Sequence, residues 1–136
     1  MKHSEVKQLQ RQLIELINHN IKKKVDVFHV NYGLDKNMSR LNSAVEELDK
    51  HINKELVEIE KEAFEIAQKE SIDIGEAIKK LPEEKQTKHT ELMLEYNKSM
   101  QEENEFQIYY LDPSKCDSLK IDFEYLQILK KFFKED

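Results

Sequence analysis

Glu47, His51 and Glu55 stand four residues apart, a spacing that puts two carboxylates and an imidazole on one helix face. That set offers hard and borderline donors to a metal, but closing the coordination shell would need ligands from a second helix. A carboxylate-bridged site in a helical bundle uses Glu-x-x-His on facing helices. The residues three before His19, His51 and His89 are Leu16, Leu48 and Gln86, and only Asp26 and His29 approach the spacing. No His-Glu-x-x-His run and no paired cysteines occur, so no metal is expected and a charged, solvated face explains Glu47–Glu55 better.

Nucleophilic chemistry finds equally little. Cys116 is the single cysteine and has no histidine close in sequence. No Gly-x-Ser-x-Gly elbow and no Gly-Lys-Ser/Thr phosphate loop is present. The sequence therefore predicts a protein without catalytic residues and without a cofactor. Lys22, Lys23 and Lys24, with Lys7, Arg11, His19 and His29 around them, form the one basic cluster. It is the candidate contact for a nucleic acid, through phosphates rather than bases. Glu62, Glu65, Glu70 and Glu76 could in turn imitate phosphate spacing, although a solvated face is the plainer reading.

The composition explains why binding is the better expectation. The 136 residues include 2 Gly, 2 Pro and no Trp, where average usage gives roughly 9 Gly and 7 Pro. Architectures that turn every few residues need more punctuation than this. Charged residues make up 37% and hydrophobic ones 38%, which suits long solvated helices better than a thick core. The net charge is −6, so general affinity for nucleic acid is disfavoured. Residues 1–34 hold 6 basic and 3 acidic side chains, whereas residues 35–136 hold 16 and 25. The lone cysteine fits a reducing compartment. No apolar run of membrane-spanning length occurs, so a cytoplasmic location and no membrane contact are expected.

Apolar periodicity predicts a single domain over 1–136 with five elements. Val6, Leu9, Leu13 and Leu16 mark a helix over 4–23. Val27, Val30, Leu34, Met38, Leu41, Val45, Leu48, Ile52, Leu56, Ile59, Ala63 and Ile66 predict one long helix over 26–69. At 1.5 Å per residue it would be roughly 60 Å long. A loop near Ser71–Gly75 precedes a third helix over 82–103 with the stripe His89, Leu92, Tyr96 and Met100. Alternation at Phe106, Ile108 and Tyr110, a turn at Asp112-Pro113, and Leu119 with Ile121 predict a two-stranded hairpin over 105–121. A closing helix over 122–134 carries Tyr125, Leu126, Leu129, Phe132 and Phe133. The expected fold is mainly α: a long helical hairpin or three-helix arrangement with a small β hairpin and a C-terminal helix.

The order of these elements resembles a family of small uncharacterised proteins of tailed phages and prophages. It rests on Glu5-Val6-Lys7-Gln8-Leu9, the basic break, the long Lys/Glu-rich helix, and the tail from Glu95-Tyr96-Asn97 through Glu105-Phe106-Gln107-Ile108 to Phe132-Phe133. The insert around Ser71–Leu81 departs from that pattern. The resemblance implies a phage origin and supplies no activity.

The expected function is stoichiometric protein binding, in virion assembly or inhibition of a host defence protein. Leu48, Ile52 and Leu56 form a candidate homodimer seam on the long helix. Tyr109, Tyr110, Phe132 and Phe133 form a candidate partner surface or core. The alternative is a small DNA-associated regulator that uses Lys22, Lys23 and Lys24.

Overall fold

The computed structural model describes residues 1–19, 28–116 and 122–133. The chain divides into two compact units: one formed by 1–47 with 103–136, the other by 48–102. Among the described residues it is mainly helical, with six α-helices and no strand.

In the first unit, α1 (His3–Asn18) and α2 (Phe28–Asp49) carry the long apolar rows. Val6, Leu9, Leu13 and Leu16 of α1 and Val30, Leu34, Leu41 and Val45 of α2 are buried in one core. Leu111, Leu129 and Phe132 complete it. Glu5 returns to accept from the backbone N–H of Lys2 at 3.0 Å, which satisfies one of the free donors at the start of α1. The closing helix, here α6 (Phe123–Lys130), packs on α1. His19 stacks on Tyr125 with ring centroids 3.8 Å apart. Burial raises the Tyr125 hydroxyl above its ordinary pKa, and the nearby carboxylates of Glu124, Glu15 and Asp122 add to the shift.

In the second unit, α3 (Lys54–Glu70) and α5 (Glu83–Ser99) pair as an antiparallel hairpin, joined through α4 (Ile74–Lys79). Leu56, Ile59, Ala63, Ala77, Leu81 and Leu92 form its core. Lys85 reaches both carboxylate oxygens of Glu62 at 2.6 Å and Lys88 lies 3.8 Å from Glu55. Both pairs are solvated, so they orient the hairpin more than they stabilise it. Ser71 closes α3 in the left-handed region at φ 54°, and the Asp73 carboxylate caps α4 by accepting from Glu76 N–H at 2.8 Å.

Two expectations are corrected. The helix predicted over 26–69 is α2 and α3, interrupted after Asp49. The 3–4 apolar spacing runs on through Leu48, Ile52 and Leu56, but Asn53 starts a new helix: its side-chain oxygen accepts from Glu55 N–H at 2.9 Å. Local bonds from His51 N–H to Leu48 O and from Ile52 N–H to Asp49 O tighten the chain before it.

The hairpin expected over 105–121 is not formed among the described residues. Residues 105–110 are extended without a partner strand, and Pro113–Cys116 form a 3₁₀ turn. Only isolated bridges occur, Lys2 with Glu103 and Leu111 with Phe133. A two-stranded hairpin is marginal in water; here side chains of α2 take the place of the second strand. Leu119 and Ile121 lie outside the described residues, as do Lys22, Lys23, Lys24 and Asp26.

Candidate interaction surface

The segment 104–112 is fixed along its length by side chains. Asn104 N–H donates to Met1 O at 2.7 Å, and its side-chain amide meets His3 Nδ1 at 3.0 Å. The N-terminal ammonium donates to the Glu103 carboxylate at 2.9 Å. That bond, reinforced by the positive charge itself, holds the Glu103 carboxyl below the usual glutamate range.

The segment then runs antiparallel to α2. Arg40 donates to Gln107 O at 3.3 Å. Asn37 donates to Tyr109 O at 2.8 Å and accepts from Tyr109 N–H at 2.8 Å. Its second amide hydrogen goes to Gly33 O at 2.9 Å. Leu111 seats against Gly33, where a Cβ would collide with its side chain. His29 Nε2 accepts from Asp112 N–H at 2.9 Å. His29, Gly33, Asn37 and Arg40 sit at steps of four, four and three, one face of one helix. Asn37 is fully buried. A primary amide with both hydrogens used and its oxygen engaged is a satisfied buried polar group.

This anchoring presents a row of aromatic and cationic side chains. Phe28 stacks on Tyr32 with centroids 5.8 Å apart, and Tyr32 meets the edge of Tyr109 at 5.9 Å. Lys36 lies 5.6 Å from the Tyr32 ring and 5.1 Å from the Tyr109 ring. Arg40 lies 5.7 Å from Tyr109. Phe28 is 83% exposed and Tyr32 45%. Among the described residues, Lys36 and Arg40 form no ion pair with a carboxylate. Phe28, Tyr32, Lys36 and Arg40 recur every four residues, the row next to His29, Gly33 and Asn37.

The residues expected to carry binding are scattered. Tyr109 is in the row. Tyr110, half exposed, and Phe133 line a different cleft of about 360 Å³ with Leu9, Gln12 and Lys131. Phe132 is fully buried core. Leu48 is half-buried on α2, Ile52 is half-buried within the break, and Leu56 is buried in the second unit. The three do not share one helix, so the continuous seam is lost. The same break separates Glu47 on α2 from Glu55 on α3. No group of three or more His, Cys, Asp or Glu side chains gathers to hold a metal among the described residues. No helix among them is long and apolar enough to cross a membrane.

Phe28, Tyr32, Lys36 and Arg40 escape the apolar-stripe reading because they flank the stripe. Their signal is the fourfold spacing of rings followed by cations. No family model, curated protein or solved structure matches the chain.

Proposed function

We propose that the protein is a non-enzymatic binding factor that recognises another protein through the Phe28–Tyr32–Lys36–Arg40 row and Tyr109. The observation that carries this reading is the exposure of stacked rings beside two cations that have no carboxylate partner among the described residues. Exposed aromatics with arginine are the composition of interface hot spots. The Asn37 anchor adds rigidity, so that little ordering entropy is lost on binding. A role in virion assembly or in blocking a host defence protein belongs to the same reading, through the resemblance to small phage proteins.

The test is affinity capture from the native host with the wild type and a Phe28→Ala/Tyr32→Ala variant, compared by mass spectrometry. Both side chains are exposed, so the variant should melt within a few degrees of wild type. A partner retained by the wild type and lost by the variant is the expected result. Identical captures would remove the row from the binding surface.

A further inference from the structure

We infer that the row on α2 binds an extended acidic segment, with carboxylates two residues apart on Lys36 and Arg40 and an apolar side chain on Tyr32 and Phe28. The inference rests on the proposed binding role of this row and adds the chemistry of its partner.

The chain itself displays the register. Four residues of helix advance about 6 Å, and two residues of extended chain advance about 6.7 Å. Those steps nearly match, and α2 uses the match: Asn37 meets Tyr109, and Gly33, four residues back, meets Leu111, two residues on. Phe28, Tyr32, Lys36 and Arg40 repeat the four-residue step on the adjoining row. Alternate side chains of a second extended segment would therefore fall on successive members of it.

Charge points the same way. The chain carries −6 overall, yet Lys36 and Arg40 pair with rings and with no carboxylate among the described residues. Arg40 gives one N–H to Gln107 O, and a guanidinium has five. The remaining donors suit a carboxylate. Phe28 and Tyr32 carry no charge and extend the row with apolar surface.

Single-stranded nucleic acid also repeats an anion at a similar interval, but it needs open ring faces for its bases. Here Phe28 and Tyr32 stack on each other and the cations lie over Tyr109.

The experiment pans a displayed library of random short peptides against the whole protein. Recovered peptides are then measured by fluorescence anisotropy against wild type, Lys36→Glu/Arg40→Glu and Phe28→Ala, with oligothymidylate as competitor. The expected peptides carry two acidic residues at i and i+2 followed by an apolar one. Their affinity should fall at least about tenfold in the charge-reversed variant and weaken as salt rises. Acid-free peptides that need Phe28 would overturn this inference and leave the binding role standing. Peptides indifferent to all these substitutions would remove the row itself. Failure to recover any peptide, or displacement of recovered peptides by oligothymidylate, would contradict the acidic-segment assignment.

Discussion

The side-chain amide of Asn37 meets the backbone of Tyr109 across two hydrogen bonds of 2.8 Å, one donated and one accepted. The pair copies the exchange between opposed residues of an antiparallel sheet, with one residue of a helix replacing a strand. The anchor couples the first unit's core to its exposed ring row, because Tyr109 is fixed in backbone and free to present its ring.

Asn37→Ala should therefore destabilise the protein by about 3 kcal/mol, since it empties a buried site and strands the Tyr109 N–H and C=O. Asn37→Asp should also destabilise, because a carboxylate cannot donate to Gly33 O and Tyr109 O. Amide exchange at Tyr109 should accelerate in both. A melting curve and a Tyr109 exchange rate equal to wild type would show that the anchor is not needed.

Gly33→Ala gives a prediction of sign. In an ordinary helix interior the change stabilises by roughly 1 kcal/mol. Here the new Cβ meets the side chain of Leu111, itself 1% exposed within the core. Overpacking of that kind costs about 1–3 kcal/mol, so chemical denaturation should show net destabilisation. Adding Leu111→Ala should make the Gly33→Ala step cheaper than it is alone.

The mainly helical class was legible from the apolar periods of the first and third helices. The break at Asn53 was not, because the apolar steps 48, 52 and 56 continue across it at helical spacing. The decision lay in one capping bond, Glu55 N–H to Asn53. The alternation at Phe106–Tyr110 predicts a hairpin strand that the described residues do not form. The segment's partner was hidden, because Asn37 is a single polar residue in an apolar row and sequence periodicity does not show what it bonds. Tyr109 was a candidate by its residue type; Phe28, Tyr32, Lys36 and Arg40 drew together only through the docked segment.

Phe132 and Tyr110 separate core from surface within the aromatic tail. Phe132→Ala should cost about 3–5 kcal/mol, as for a buried ring leaving a cavity. Tyr110→Ala, at a half-exposed site, should cost much less, within roughly 1 kcal/mol. Urea titrations of the two variants check the contrast; equal losses would contradict it.

Acid should loosen the start of the 103–112 segment. The Glu103 carboxyl is held low by the N-terminal ammonium. A lowered folded-state pKa gives a contribution present above the ordinary glutamate range and lost as pH falls through the lowered midpoint. An NMR titration should place the Glu103 midpoint below the other exposed glutamates. Acetylating the N-terminus should return it upward; an unmoved midpoint would remove the ammonium as the cause.

The most direct measurement of the binding surface is site-specific photo-crosslinking in the native host. A benzophenone side chain replaces Phe28 in one variant and Phe64, 53% exposed on α3, in another. Both positions are open aromatics, so exposure alone predicts crosslinks from both. The account predicts a discrete crosslinked protein from position 28 and none from position 64. Crosslinks from position 64 alone, or from neither, would contradict it.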